Sequence, residues 1–159
     1  MFQLKDIWTF LWSFLIVFPT VSLVHQLGHA FFARIFGGTS NFALGRGKCL
    51  IKFGGISIHS IYFLDSFCKY TSLKYNNRMT NTLVHLGGVI FNFGSIFLIN
   101  LSIMQDIIGP DIFFYQYSYF SLYFAAFSLL PVNFGNGKYS DGYAAYRIMR
   151  YGEELQLEN

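Results

Sequence analysis

The sequence predicts an all-α membrane protein with three transmembrane helices and a small β-hairpin on the cytoplasmic side. Charged residues make up only 12% of the 159 residues, and aromatic residues reach 21%. No Asp, Glu, Lys or Arg occurs in residues 7–33, 79–105 or 112–137, runs of 27, 27 and 26 residues. About 20 apolar residues span a bilayer as a helix, so each run is long enough to cross. This composition excludes a soluble enzyme, a disordered chain, a secreted disulfide scaffold and a nucleic-acid-binding module.

Each predicted element follows from its local sequence. Proline lacks the N–H that a helix needs, so Pro131 ends the third helix. Between the first two apolar runs, Gly54 and Gly55 separate two segments in which apolar and polar residues alternate, the pattern of a β-hairpin with a two-residue turn. No linker or change of composition divides the chain, and we expect residues 1–159 to form a single domain. The three helices are expected over about residues 7–35, 82–104 and 113–131.

The charges between the apolar runs predict the orientation in the membrane. Residues 34–82 hold seven Lys and Arg against one acid, whereas the turn around Asp106 and Asp111 holds two acids and no base. Because loops rich in Lys and Arg stay cytoplasmic, we expect an integral, multi-pass protein with its N-terminus outside and its C-terminus in the cytoplasm. The small size of the chain suggests the cell membrane of a bacterium.

Two histidines stand one helical turn apart near the inner end of the first helix. His25 and His29 would lie on one face of that helix, close enough for both imidazoles to bind one tetrahedral zinc ion. Ionisable side chains inside membrane segments are rare and usually functional, which favours metal binding. The alternative is that the two imidazoles pack against a neighbouring helix.

A catalytic zinc takes three protein ligands and keeps one position open. Topology favours Asp141 as the third ligand, because the first and third helices run in the same direction and the segment after the third returns to the side of the histidines. The alternative is an Asp-Gly turn that caps the amphipathic segment 143–151. Other candidates for the third ligand are His59, His85, Cys49 and Cys68.

Three segments carry motif residues in a characteristic order. Residues 25–29 read H-Q-L-G-H in an apolar helix, residues 88–92 read G-V-I-F-N, and residues 127–131 read F-S-L-L-P and are followed by an Asp-Gly pair at 141 and 142. The three segments resemble the H-E-x-x-H, G-x-x-x-N and N-x-x-P with D-G motifs of the site-2 protease family of intramembrane zinc metalloproteases. The resemblance spans about residues 20–150, most of the chain.

This resemblance implies a fold, a reaction and a site. The fold is a site-2-protease-like core of three transmembrane helices, and the reaction is endopeptidase cleavage of a membrane-embedded or membrane-associated peptide near the cytoplasmic face. The implied cofactor is Zn²⁺, held by His25, His29 and Asp141, and the hairpin would pair with an extended substrate. For Asn92, an interhelical hydrogen bond is an equal alternative to substrate binding. The implied substrate-binding residues are Asn92, Gly54, Gly55 and Pro131.

The chain departs from the family pattern at three points. Gln26 stands where the family has the general-base Glu, and an amide cannot accept a proton at neutral pH. Turnover should therefore fall by about 10² to 10⁴, and this sequence is expected to be inactive or nearly so. Ser128 replaces the Asn of the third motif, and Asp141 follows Pro131 by ten positions, a longer spacing than usual.

Two interpretations of Gln26 stay open. An active protease was disabled by a Glu→Gln change, or the protein is a natural non-cleaving relative that binds membrane segments; the intact metal ligands favour the first. A different class of function is a non-catalytic scaffold whose polar residues serve only helix packing. Expected partners are a membrane-embedded protein or peptide substrate, the lipid bilayer, and further copies of the chain or an accessory membrane protein that shields the zinc. No nucleic acid is expected.

Overall fold

The computed structural model describes residues 4–70, 73–135, 137–153 and 155. A long hairpin packs against the second α-helix, and a second, very short hairpin precedes the last helix. In chain order the described elements are α1 (Leu4–Trp12), a π-helical turn (Ser13–Val17), α2 (Phe18–Ile35), β1 (Ser40–Phe53), β2 (Ile56–Tyr70), α3 (Arg78–Met104), α4 (Ile112–Leu129), β3 (Asn133–Gly135), β4 (Lys138–Tyr139) and α5 (Asp141–Tyr151).

The predicted fold class is wrong in two respects. The protein is 59% helical but also 22% strand, in two sheets, so it is not all-α. Within the described part of the chain, two helical stretches, not three, are long and apolar enough to cross a membrane: Ile7–Ile35 and Arg78–Met104. The third apolar run forms α4, which has only 18 residues and carries four Tyr, three Ser and one Gln. The prediction treated a run without charged residues as apolar, although the Tyr, Ser and Gln side chains of α4 are polar.

Side-chain caps determine where α3 and α4 begin. α3 begins at Arg78, earlier than the predicted residue 82, because a capping box precedes it. The side chain of Asn77 accepts a hydrogen bond from the N–H of Thr80 at 2.9 Å, and the hydroxyl of Thr80 accepts one from the N–H of Asn77 at 3.0 Å. α4 begins after Asp111, whose carboxylate accepts from the N–H of Phe113 at 2.8 Å.

The hairpin of β1 and β2 is much larger than predicted, with strands of 14 and 15 residues. The two-residue turn is confirmed, since Gly54 and Gly55 connect the strands with φ of 51° and 93°. Phe42 is paired both with Cys68 and with Ile56, so the tip of the hairpin folds back onto the base of β1. This folding extends the strand pairing beyond a simple hairpin. It follows irregularities in β1 where Gly45 and Gly47 adopt φ of 85° and 95°.

α2 and α3 pack with their backbones in contact. A β-carbon added at Gly87 would lie 2.6 Å from the carbonyl oxygen of Gly28, so neither position has room for a larger residue. Buried residues of both helices then form a core with the hairpin and the segment after it. This packing places the C-terminal half of α2 between α3 and the sheet. The core residues are Ala30, Ala33, Phe42, Cys68, Leu73 and Val84.

Candidate metal centre

Three buried side chains from two helices converge on one point. His25 and His29 lie on one face of α2 with ring centroids 4.7 Å apart, and Asp141 is the first residue of α5. Oδ2 of Asp141 lies 3.0 Å from Nε2 of His25 and 3.6 Å from Nε2 of His29. One ligand atom from each residue lies within 4.8 Å of the others. The structure therefore brings together the three ligands that the sequence predicted.

A compact loop brings Asp141 back from the end of α4. The N–H of Ser140 donates to the carbonyl of Val132 at 3.0 Å, and the N–H of Val132 donates to the hydroxyl of Ser140 at 3.1 Å. The short β3–β4 hairpin takes up the residues between them, so the long spacing after Pro131 does not displace Asp141. The cap of α5 is Ser140, whose hydroxyl accepts from the N–H of Tyr143 at 3.2 Å. The carboxylate of Asp141 is thus directed to the histidines and does not serve as the cap.

The surroundings of Asp141 keep it ionised. Burial by itself would raise the pKa of this carboxyl, but interaction with His29, the hydrogen bond with His25 and the hydroxyl of Ser128 together hold the pKa below its usual range. Ser128 donates directly to Oδ2. The second oxygen, Oδ1, is buried and has no hydrogen-bond partner among the described residues. Asp141 therefore offers a carboxylate with unused lone pairs.

The donor set fits a zinc ion. Nδ1 of His29 lies 2.8 Å from the carbonyl oxygen of Val84 and donates its proton there, which leaves Nε2 as the ring nitrogen that faces the cluster. Metal-binding histidines usually fix their tautomer in this way. Two imidazole nitrogens and one carboxylate are a ligand set that catalytic zinc uses, with the fourth position left open. The unpartnered Oδ1 of Asp141 offers a further lone pair that a cation could use.

Gln26 lies between the two histidines in sequence and is also buried. Its Nε2 donates to the hydroxyl of Ser66 on β2 at 2.9 Å, and that hydroxyl also accepts from Ser22 at 2.6 Å. Its Oε1 is buried without a hydrogen-bond partner in the described part of the chain. The amide is therefore held by the sheet with its oxygen unused.

A cavity of about 780 Å³ opens beside the cluster, between α2, α4, β2 and the β3–β4 hairpin. His25, Gln26 and Asp141 form part of its wall, and Arg46 and Lys138 contribute positive charge. Most of the remaining wall is aromatic. These aromatic residues are Phe18, Tyr62, Phe63, Tyr119, Phe120, Tyr123, Phe124, Phe127, Phe134 and Tyr139.

The four predicted substrate-binding residues lie outside the wall of this cavity. Gly54 and Gly55 form the hairpin tip, where the carbonyl of Gly55 accepts from the N–H of Phe42 at 2.9 Å. Pro131 is exposed after α4, and Asn92 is buried beside His25 with its Nδ2 3.4 Å from Nδ1. The aromatic wall was missed by sequence reasoning. The sequence feature that could have indicated this wall is the high aromatic content, which we interpreted only as evidence for a membrane environment.

The other candidate ligands lie outside the cluster, where they form hydrogen bonds with the backbone or are buried in the core. Nε2 of His85 lies 3.0 Å from the carbonyl oxygen of Leu155, and Nδ1 of His59 lies 3.0 Å from that of Gly47. Cys68 is buried in the core between the sheet and α2. Asp141 is thus the third member of the cluster that the described residues form around the histidine pair.

The described part of the chain has two helices long and apolar enough to cross a membrane, and a buried candidate metal centre beside an aromatic cavity. The chain is 49% identical over 158 residues to the uncharacterized membrane protein YwmF of Bacillus subtilis (strain 168), and the match covers 99% of both chains. The chain therefore belongs to the same family as YwmF. No family model and no solved structure matches it.

Proposed function

We propose that this protein is an intramembrane zinc peptidase of the site-2 protease type in a form that lacks the general base. The observation that supports this most strongly is the convergence of His25, His29 and Asp141, whose ligand atoms lie within 4.8 Å of one another. The open side of this cluster is the aromatic cavity, so a bound peptide would reach the metal position directly. A membrane-embedded or membrane-associated peptide with apolar side chains is the substrate that this wall fits.

Different residues of the chain would bind the metal and the substrate. His25, His29 and Asp141 would hold the zinc, which when bound supplies a Lewis acid for the scissile carbonyl and an activated water. The aromatic rings of α4 and β2 bind apolar side chains and exclude water from the cluster. Phe124 packs against His25 with ring centroids 4.8 Å apart, so a peptide in the cavity would lie next to the metal ligands.

Gln26 limits the chemistry at this site. In an active enzyme of this type, a carboxylate at this position takes the proton of the attacking water and passes it to the leaving amine. The unpartnered Oε1 of Gln26 can accept a hydrogen bond from that water but cannot take the proton. The protein therefore binds the substrate and cleaves it about 10² to 10⁴ times more slowly than a Glu form would.

The orientation follows from the basic segment between the two candidate spans. Residues 34–82 face the cytoplasm and the N-terminus lies outside, in a bacterial cell membrane. Gly152, at the end of α5, packs against the guanidinium of Arg78, the first residue of α3. The C-terminal helix therefore lies at the N-terminal end of α3, next to the basic segment.

The test is the substitution Gln26→Glu, assayed with zinc on a set of fluorogenic peptides derived from bacterial membrane spans. We expect cleavage to rise by about 10² to 10⁴ over the wild type. The matched control is the double variant Gln26→Glu, His25→Ala, which keeps the new carboxylate but lacks a metal ligand and should stay inactive. Cleavage by the double variant would show that the activity does not come from this site.

A second candidate function is that of a non-cleaving protein that binds membrane segments in the same cavity. The hydrogen bond from Gln26 to Ser66 supports it, because the site uses the amide as a donor, which a carboxylate could not be. The same variant separates the two functions. If Gln26→Glu binds zinc and captures the peptides but cleaves none of them, the binding function is favoured.

A further inference from the structure

We propose that Asn92 is a positioning residue that fixes the tautomer of His25 for metal binding. This inference rests on the proposed zinc site. Asn92 lies on α3, its exposed fraction is 0%, and its Nδ2 lies 3.4 Å from Nδ1 of His25. Its Oδ1 is buried and has no hydrogen-bond partner among the residues that the structure describes.

α3 holds the ring of His25 at close range. Gly88, one helical turn before Asn92, lies against that ring so closely that a β-carbon there would collide with Nε2, Cε1 and Cδ2. The missing side chain at Gly88 therefore lets the imidazole approach the backbone of α3. In this position Nδ1 faces the amide of Asn92, while Nε2 faces Asp141.

The chemistry of the ligand requires a defined tautomer. Nε2 of His25 is the atom that faces the cluster, and an imidazole that binds metal through Nε2 carries its proton on Nδ1. That proton needs an acceptor in a buried site. Rotation of the Asn92 amide by half a turn exchanges its nitrogen and oxygen, and Oδ1 then accepts from Nδ1 of His25. The rotation gives Oδ1, which otherwise lacks a partner, a hydrogen bond from His25.

The two orientations of the amide correspond to the two states of the site. Without metal, Nδ2 of Asn92 donates to Nδ1 of His25, and Nε2–H of His25 donates to Asp141 at 3.0 Å. With metal, Oδ1 of Asn92 would accept from Nδ1–H, which leaves Nε2 without a proton so that its lone pair could bind the metal. An amide can serve as donor in one state and acceptor in the other. His29 differs, because the carbonyl of Val84 accepts from its Nδ1 in both states.

The test compares the zinc affinity of purified full-length variants in detergent, measured by competition with a chromophoric chelator. Asn92→Leu removes the acceptor at similar volume, and we expect its affinity to fall by about 10- to 100-fold. Asn92→Asp keeps an acceptor oxygen, and we expect it to retain at least about one third of the wild-type zinc affinity. The matched control is Asn100→Leu, an exposed asparagine on the same helix, which should leave the affinity unchanged.

A spectroscopic readout separates positioning from a structural role. In zinc-loaded, ¹⁵N-histidine-labelled wild-type protein, His25 should be protonated on Nδ1. Protonation on Nε2 would overturn the inference, and so would a folded Asn92→Leu variant with wild-type zinc affinity. An Asn92→Asp variant as weak as Asn92→Leu would also overturn it. If the wild type itself binds no zinc, the proposed function fails, which is a different outcome.

Discussion

Nε2 of His25 lies 3.0 Å from Oδ2 of Asp141, although 116 positions separate the two residues in the chain. Local propensity does not produce this contact, because His25 lies within α2 and Asp141 begins α5. The contact depends on the loop after α4 and on the packing of α5 against α3. It joins the first and third sequence motifs into one buried site.

The hydroxyl of Ser128 should be needed to orient Asp141. It donates to Oδ2 of the carboxylate, so Ser128→Ala removes a hydrogen bond to a proposed metal ligand without changing the core. We expect zinc affinity to fall by about 10-fold or more, as for other partners of metal ligands. Ser118→Ala on the same helix is the control and should bind zinc normally. Wild-type affinity in Ser128→Ala would show that Asp141 is held without this hydroxyl.

Gly87 should be essential for the close packing of α2 and α3. A β-carbon there would lie 2.6 Å from the carbonyl oxygen of Gly28, whereas one at Gly94 would have nothing within 4 Å. We expect Gly87→Ala to lower the free energy of unfolding by about 1–3 kcal/mol, seen as a lower midpoint of thermal unfolding in detergent. Gly94→Ala on the same helix should leave the midpoint nearly unchanged. Equal midpoints for the two variants would contradict backbone contact between the helices.

Cys68 should be inert towards alkylation in the folded protein. Its exposed fraction is 2%, and burial raises the pKa of its thiol to about 12. Because the thiolate is the reactive form, a raised pKa leaves only on the order of 10⁻⁴ of the thiol reactive at pH 8. Cys49 is exposed. Maleimide should therefore label one thiol per folded chain and two after denaturation.

The variant Cys49→Ser provides the control for this measurement. It should take up no maleimide until it is denatured, because Cys68 is then the thiol that remains. Rapid labelling of the folded Cys49→Ser protein would show that Cys68 is not buried between β2 and α2. That result would contradict the packing of the sheet against α2 described above.

The convergence of the three proposed ligands could be predicted from the sequence. The spacing of His25 and His29 places them on one helical face, and the direction of the helices returns Asp141 to that face. Asn92 could be placed near the site only by its motif. Its contact with His25 depends on the close approach of the helices at Gly28 and Gly87, which no pattern along a single helix reports.

The fold class and the cavity could not be predicted in the same way. Absence of charge marked the third run as a span, but α4, with its tyrosines and serines, is not among the described helices that are long and apolar enough to cross a membrane. Folding of the hairpin onto itself depends on positive φ at Gly45 and Gly47, which alternation of apolar and polar residues does not encode. The cavity wall is assembled from α2, α4, α5 and the two hairpins, so its aromatic residues share no single spacing in the sequence.

The zinc content of the purified, folded protein decides whether His25, His29 and Asp141 form a metal site. Elemental analysis after loading with zinc and desalting should give about one zinc per chain for the wild type, and essentially none for His25→Ala or Asp141→Ala. The matched control His59→Ala removes a histidine that bonds to Gly47 outside the cluster, and it should keep its zinc. Folded wild-type protein without zinc, or His25→Ala with a full equivalent of zinc, would contradict the proposed metal centre.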